Sequence, residues 1–253
     1  MDELSAPVAV FDSGVGGVSV LRCLLRELPG ENFLFYGDSA NAPYGVRPTA
    51  EIRALTLAAA RRLFGAGAKA LVVACNTATA AAINELREAY PQKIVIGIEP
   101  ALKPAVDAFP HGTVAVMATQ ATLREEKFHT LEAHFAGDCR ILTVSPAGLV
   151  ELVERGMGDS PEAEALLRPY LAPLAGKIDA LVLGCTHFPF ASAPIRRILG
   201  ESLPLYDGGG GTARETRRRL AAAGLLNPGP GSLSWENSLG TAQIYRLCER
   251  LVR

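Results

Sequence analysis

The chain has 253 residues, of which 49% are hydrophobic and 20% are charged, a composition typical of one large or two modest globular domains. A net charge of -1 without any long basic block argues against nucleic acid or an anionic membrane as the main ligand. No stretch reaches the roughly 18 consecutive apolar residues of a spanning helix. The N-terminus M-D-E-L lacks a basic and apolar signal segment, so we expect a cytoplasmic protein.

The first hundred residues alternate short apolar runs with helical patterns. Residues 8–11 are predicted to form a strand, which a glycine-rich turn, D-S-G-V-G-G, joins to a helix over 18–27. The next predicted elements are a strand at 32–36, a helix capped by Thr49 that runs to about residue 64, a strand at 68–74, a helix at 77–90 and a strand at 93–98.

The same order of elements restarts near residue 113. We predict a strand at 113–117, a turn at 118–122, a helix at 123–135, a strand at 139–144, helices at 148–155 and 161–174, and strands at 178–183 and 203–206. The tail from about residue 212 carries a helix, a Pro/Gly-rich turn, a strand-like piece at 232–235 and a last helix. The tail has too few apolar strands to form a lobe by itself, so we expect it to pack onto the first half.

Two short matches indicate an internal duplication. Val8 aligns with Val114, and Ala70 aligns with Ala180, at nearly equal offsets. Apolar strands that alternate with helices are typical of parallel sheets covered on both faces. The predicted fold is therefore α/β, with two doubly wound parallel-sheet lobes related by pseudo-two-fold symmetry and a site in the cleft between them. The first lobe comprises residues 1–99 and 210–253, and the second comprises residues 100–209.

Each half contains a strand that ends on a cysteine. The two segments read A-L-V-V-A-C-N-T, ending on Cys75, and A-L-V-L-G-C-T-H, ending on Cys185. The five cysteines are odd in number and scattered, which argues against a disulfide framework, and the ordinary role of Cys23, Cys139 and Cys248 is packing. Ligands of parallel sheets bind at the carboxyl ends of the strands, and a helix N-terminus there favours a thiolate and binds anions. We therefore expect Cys75 and Cys185 to face one cleft.

Two opposed acid/base groups of one kind suit racemisation, in which one group removes a proton and the other delivers a proton to the opposite face. Each thiol needs a group that manages its proton. Asp12 is the candidate beside Cys75 and His187 the candidate beside Cys185, although Asp12 could instead be a capping turn residue and His187 a packed loop histidine. Hydroxyl and amide groups suited to an acidic amino acid are those of Ser13, Asn76, Thr77, Thr119 and Thr186.

Cofactor chemistry has little support in the sequence. Lys69 and Lys177 lie at strand starts, away from the expected site, which disfavours a pyridoxal Schiff base. The G-V-G-G turn lacks the Lys-Ser/Thr of a P-loop and the G-x-G-x-x-G spacing of a dinucleotide fold. The histidines show no metal-ligand spacing. We therefore predict no cofactor and no metal.

Five ordered segments carry a resemblance to a known family. They are F-D-S-G-V-G-G at 11–17, Y-G-D-S-A-N-A-P-Y-G at 36–45, A-C-N-T-A-T at 74–79, A-T-Q-A-T at 118–122 and G-C-T-H-F-P at 184–189. Over nearly its whole length, the chain resembles the bacterial glutamate racemases.

The resemblance implies interconversion of L- and D-glutamate without a cofactor, supplying D-glutamate for peptidoglycan, by a homodimer. It implies that Cys75 and Cys185 are the acid/base pair, with Cys75 serving D-glutamate and Cys185 serving L-glutamate. It also implies that Asp12 and His187 assist them and that Glu154 is a further acidic residue near the site. The pocket residues implied are Asp12, Ser13, Pro43, Tyr44, Gly45, Asn76, Thr77, Thr119 and Thr186.

Other functions remain open at this level. The chain could be an aspartate racemase or another acidic amino-acid racemase of the same superfamily. It could also be a two-lobed protein that binds a dicarboxylate without catalysis.

Overall fold

The computed structural model describes residues 3–135 and 137–253; Met1 and Asp2 of the acidic N-terminus lie outside them. The strands are β1 (Val8–Asp12), β2 (Asn32–Gly37), β3 (Ala70–Val73), β4 (Ile94–Gly97), β5 (Thr113–Met117), β6 (Arg140–Val144), β7 (Ala180–Leu183), β8 (Leu205–Asp207) and β9 (Ser232–Asn237). The α-helices are α1 (Val18–Glu27), α2 (Thr49–Gly65), α3 (Asn76–Ala89), α4 (Leu102–Ala108), α5 (Gln120–Arg124), α6 (Glu126–Phe135), α7 (Leu149–Glu154), α8 (Pro161–Leu171), α9 (Ser192–Leu199), α10 (Gly209–Ala222) and α11 (Ala242–Leu251).

The strands form two separate parallel sheets. The orders are β4-β3-β1-β2-β9 and β6-β5-β7-β8, so β1 to β4 and β5 to β8 follow the same order, with β9 added beside β2. The registers also agree, because Val8 lies opposite Ala70 and Val114 lies opposite Ala180. The predicted α/β fold with two doubly wound lobes is confirmed, and the two cysteine-ending strands occupy equivalent places. The exact residues at which the two lobes divide stay a prediction.

The inner strands β1, β3, β5 and β7 are buried on both faces, which explains why they consist mainly of apolar residues without a polar alternation. Along β1, Val8 and Val10 pack into one hydrophobic cluster, whereas Ala9 and Phe11 pack into the cluster on the other face. The second sheet repeats this arrangement, with Val114 and Val116 on one face and Ala115 and Met117 on the other. The carboxyl ends of β1, β3 and β7 are therefore the first places where polar side chains can appear.

Several local predictions were wrong. Helices α4 and α9 were not predicted, since both are short and have no side-chain cap. Thr49 does not cap α2: Pro48 holds the cap position, and the Thr49 hydroxyl donates to Glu125 instead. The predicted turn and single helix over 118–135 are two helices, because Glu125 has an extended backbone between them. Within the described residues, no helix is long and apolar enough to cross a membrane.

A buried ion pair joins distant segments at the amino ends of the strands. The Lys69 ammonium lies 2.6 Å from a Glu31 carboxylate oxygen, and neither side chain is more than 2% exposed. Lys69 also donates to the Leu4 and Leu225 carbonyls at 2.7 and 2.8 Å, while the second Glu31 oxygen accepts from the Asn227 backbone N–H at 2.7 Å. The pair thus connects the chain before β1 and the segment after α10 to the first sheet.

Breaking this pair by Lys69→Met should lower the free energy of unfolding by about 3–5 kcal/mol, because Glu31 would stay buried without its counter-charge. Chemical denaturation measures this change. The matched control is Lys103→Met, which breaks an exposed Lys–Asp pair on α4 and should leave the midpoint unchanged. Equal stability of the two variants would show that the buried pair does not stabilise the fold.

Candidate active site

Cys75 lies between β3 and α3 and occupies the N-cap position of α3. Its sulfur accepts from the Ala78 backbone N–H at 3.4 Å and lies 3.3 Å from the Ser13 hydroxyl. Burial, followed by the nearby charge of Asp12, raises the pKa of the thiol to about 12, although the hydrogen bonds from Ser13 and Ala78 oppose the shift. The N-terminus of α3 does favour the thiolate through the Ala78 N–H, as expected, but burial outweighs this contribution. Cys75 carries its proton at neutral pH.

Cys185 follows β7 in the equivalent position, but its surroundings differ. No α-helix starts directly after it, contrary to the expectation: a 3-10 helix over Phe188–Ala191 comes first, and α9 begins only at Ser192. The Cys185 sulfur lies 3.8 Å from Nδ1 of His187, and both side chains are buried. The geometry therefore pairs this thiol with an imidazole, whereas Cys75 pairs with a hydroxyl.

A carboxylate from α7 holds the far side of the His187 ring. Nε2 of His187 lies 2.6 Å from Oε1 of Glu154, and the same oxygen accepts from the Val15 backbone N–H at 2.7 Å. Burial by itself lowers the pKa of His187, but the hydrogen bonds to Cys185 and Glu154 outweigh it and raise the pKa well above its ordinary value. The raised pKa favours the imidazolium form of this ring, which lies beside the Cys185 sulfur.

Asp12 connects the two strand ends. It ends β1, is fully buried, and accepts from the Gly14 backbone N–H and from the Thr186 hydroxyl, both at 2.9 Å. Burial raises its pKa, while the charge of His187 and these hydrogen bonds partly oppose that shift. Asp12 was predicted beside Cys75, yet the group bonded to Cys75 is Ser13. Asp12 instead bonds to the turn that carries Cys185, although its charge acts on Cys75.

The glycines of the β1–α1 turn allow the two lobes to approach closely. A Cβ atom on Gly14 would lie 1.9 Å from Oε1 of Glu154, and one on Gly16 would lie 2.3 Å from Nδ1 of His187. Neither position leaves room for any side chain. The G-V-G-G turn is therefore shaped by the carboxylate and imidazole that pack against it.

Two of the predicted pocket hydroxyls, those of Thr77 and Thr119, belong to a connected group of three. The hydroxyls of Thr77, Thr119 and Thr122 lie 2.9 to 3.1 Å from one another, and Gly45 packs directly against Thr119. Asn76 is 5% exposed, and its Oδ1 has no hydrogen-bond partner among the described residues. A buried amide oxygen without a donor is energetically costly, so this atom is suited to a ligand N–H group.

Tyr44 begins a short 3-10 helix that contacts α3 and α5, and Pro43 holds the N-cap position of that helix. The Tyr44 ring is buried against Phe11, and its hydroxyl donates to Asp38 at 2.7 Å. Ser39 and Thr122 were not predicted as site residues. The signal for Ser39 was present, since D-S directly follows β2 at the carboxyl edge of the sheet.

A small cavity borders one of the two thiols, Cys185. A cavity of about 10 Å³, near the size of one water molecule, borders Cys185, Asn76 and Thr186. Larger cavities, of about 540 and 890 Å³, are lined by residues such as Arg87 and Glu99 and border neither thiol. Across residues 3–135 and 137–253, no group of three or more His, Cys, Asp or Glu side chains could hold a metal ion.

This fold, with a thiol at each of two equivalent strand ends, matches a known class of isomerases. The family profile described as Asp/Glu/Hydantoin racemase matches residues 13–216. Because the match spans most of the chain, the chain belongs to this racemase family.

Similar proteins refine the comparison. A Clostridium perfringens glutamate racemase is 44% identical over 254 residues, covering 99% of this chain and 98% of the relative. A Ralstonia nicotianae glutamate racemase is 49% identical over 245 residues, covering 96% and 87%. Among solved structures, glutamate racemase from Francisella tularensis in complex with D-glutamate superimposes with a TM-score of 0.85 at 26% identity, covering 98% and 94%. The Thermus thermophilus glutamate racemase in complex with beta-chloro-D-alanine superimposes with a TM-score of 0.80 at 39% identity, covering 99% of this chain and 94% of that structure.

Replacing Gly14 by Ala should disturb Glu154, because the added methyl group overlaps its carboxylate. We expect a loss of about 1–3 kcal/mol in the free energy of unfolding, as for other overpacked sites, together with loss of racemase activity. Gly65→Ala is the control, since a Cβ there at the end of α2 meets nothing within 4 Å. Denaturation and activity assays on both variants measure the difference; a fully active and stable Gly14→Ala would contradict the packing argument.

The raised pKa of His187 can be measured by nitrogen-edited NMR, with its signals assigned by a His187→Gln variant. We expect an imidazolium at pH 7.5, and a fall in the His187 pKa after Glu154→Gln. The sign follows from linkage: the protonated pair stabilises the fold fully below the ordinary histidine pKa, and this contribution disappears as pH rises through the higher folded value. A His187 that titrates normally in both proteins would refute the assignment.

Proposed function

We propose that the chain interconverts L- and D-glutamate by two-thiol proton transfer, without a cofactor, and supplies D-glutamate for peptidoglycan in the cytoplasm as a homodimer. The observation that carries the proposal is the pair of thiols, Cys75 and Cys185, at equivalent ends of β3 and β7, each with its own polar partner. The substrate is supported by the curated relatives named glutamate racemase and by similar structures in complex with D-glutamate or with L-glutamate.

The surroundings of the two thiols suit this reaction. Cys75 is a thiol and can donate a proton, whereas the Cys185 sulfur lies 3.8 Å from Nδ1 of His187, and an adjacent imidazole is a common means of activating a thiol. In one direction the Cys185 thiolate takes the α-proton, leaving a carbanion, and Cys75 then delivers its proton to the opposite face. This catalytic turnover ends with a Cys185 thiol and a Cys75 thiolate, which is the starting state for the reverse direction.

The polar groups around the thiols suit an acidic amino acid. The unpartnered Oδ1 of Asn76 can accept from the substrate ammonium group. The N-terminus of α3 and the hydroxyls near it can bind carboxylates. Asp12 would hold Thr186, and Glu154 would hold His187 as a cation. The proposed pocket comprises Asp12, Ser13, Pro43, Tyr44, Gly45, Asn76, Thr77, Thr119 and Thr186.

Two alternatives make different predictions. An aspartate racemase would act faster on aspartate; the similar Picrophilus torridus aspartate racemase, at 16% identity and a TM-score of 0.55, shares the fold only. A dicarboxylate-binding protein would hold glutamate without exchanging its α-proton. Comparing racemisation of both amino acids and following deuterium incorporation separates the three.

Single replacement of Cys75 or Cys185 by Ser tests the two-thiol scheme. Each variant should lose racemisation in both directions by at least about 100-fold, since a serine hydroxyl is a far weaker acid than a thiol. Chiral chromatography measures turnover, and proton NMR in deuterated water measures α-proton exchange.

Cys23→Ser, a change to a half-buried cysteine in α1, is the control and should remain active. Near-normal turnover after the loss of either Cys75 or Cys185 would refute the two-thiol scheme. Unlabelled glutamate with the unaltered protein would refute racemase activity altogether.

A further inference from the structure

The second oxygen of the Glu154 carboxylate is held by a residue outside the predicted site. Oε1 of Glu154 faces His187 and Val15, while Oε2 accepts from the Ser39 hydroxyl at 3.1 Å. Ser39 lies just after β2, and its hydroxyl in turn lies 2.9 Å from Nδ2 of Asn237, the last residue of β9. A chain of hydrogen bonds therefore runs from the C-terminal segment to the carboxylate beside His187.

The direction of each hydrogen bond in this chain is determined. Oδ1 of Asn237 accepts from the Leu239 backbone N–H at 2.9 Å, so the amide nitrogen must be the group that faces Ser39. An amide nitrogen only donates, so the Ser39 oxygen accepts there. The single hydroxyl hydrogen of Ser39 is therefore free to point at Glu154.

The surrounding backbone supports the chain of hydrogen bonds. Gly37 and Asn237 are register partners in the parallel pair of β2 and β9, and a Cβ on Gly37 would lie 2.8 Å from Nδ2 of Asn237. Ser238 braces the same loop, because its N–H donates to the Gly37 carbonyl and its hydroxyl accepts from the Ala40 N–H. Asn237 is 8% exposed, so solvent competes little for its amide.

We propose that Ser39 and Asn237 are positioning residues that hold Glu154 against His187. They thereby speed the proton-transfer step at Cys185 and leave the step at Cys75 unaffected. This inference rests on the proposed two-thiol racemisation. Neither residue hydrogen-bonds to a thiol; both act through Glu154. A charge-assisted hydrogen bond that fixes one carboxylate oxygen also fixes the other oxygen, which His187 uses.

Kinetic isotope effects on the two enantiomers distinguish a positioning role from a structural one. Ser39→Ala should lower kcat/KM about tenfold, the loss expected for one hydrogen bond to a charged group. The loss must be equal in both directions because the enantiomers have equal free energy. If proton transfer at Cys185 becomes slower, the isotope effect rises for the α-deuterated enantiomer whose proton Cys185 removes and falls for the other.

Reference variants identify the side of the site that is affected. The isotope pattern of Ser39→Ala should match that of His187→Asn and be opposite to that of Ser13→Ala, which impairs Cys75. Ser39→Thr keeps the hydroxyl and should restore the unaltered pattern. Ser238→Ala is the structural control, since it removes a hydrogen bond to the same loop without contacting Glu154.

Asn237→Asp tests the direction of the hydrogen bonds with almost no change in volume. The new carboxylate would accept the Ser39 hydrogen and draw it away from Glu154, so this variant should reproduce Ser39→Ala. The kcat/KM of the double variant Ser39→Ala/Asn237→Asp should be no lower than that of either single variant, because both changes remove the same hydrogen bond.

Each outcome of these measurements is decisive. Unchanged isotope effects in Ser39→Ala and Asn237→Asp, or equal effects in Ser238→Ala, would overturn the positioning role while leaving racemisation intact. If the unaltered protein neither racemises nor exchanges the α-proton of glutamate, the proposed function itself is wrong.

Discussion

The carboxylate of Glu154 is the group on which the geometry of the site depends. It ends a helix packed on the second sheet, yet it accepts from the Val15 N–H in the first lobe and from the imidazole of His187. The Glu154 carboxylate thus pairs with the buried His187 ring and accepts the Val15 N–H in the turn before α1. The glycine at position 14 follows from the same contact, since any side chain there would displace the carboxylate.

The two thiols occupy equivalent places in a duplicated fold but have different partners. The sulfur of Cys75 is surrounded by apolar atoms and a hydroxyl, and burial keeps it protonated. The sulfur of Cys185 faces a cation that the carboxylate of Glu154 maintains. The racemisation proposed above would therefore use a pair of unequal groups for two directions that are mirror images of each other.

The sequence predicted the parts of the site that depend on local order. The matched strands ending on Cys75 and Cys185 were correct because strand ends at the carboxyl edge of parallel sheets follow from apolar patterns alone. The role of Asp12 beside Cys75 stays a prediction: Asp12 acts on the thiol through its charge, and only the turn geometry decided that its neighbour Ser13 is the residue that hydrogen-bonds to the sulfur. Ser39 was missed because its importance comes from Glu154 and from a distant strand.

The amino-acid sequence by itself determined the α/β class, the duplication and the two thiols, because each is encoded in runs of a few neighbouring residues. Only the tertiary structure decided which group each thiol faces and which groups are charged. Val15 and Glu154 are 139 positions apart, and no local pattern specifies that they touch. The pKa values of Cys75 and His187 likewise depend on burial and on the charges around them, which arise only when distant segments pack together.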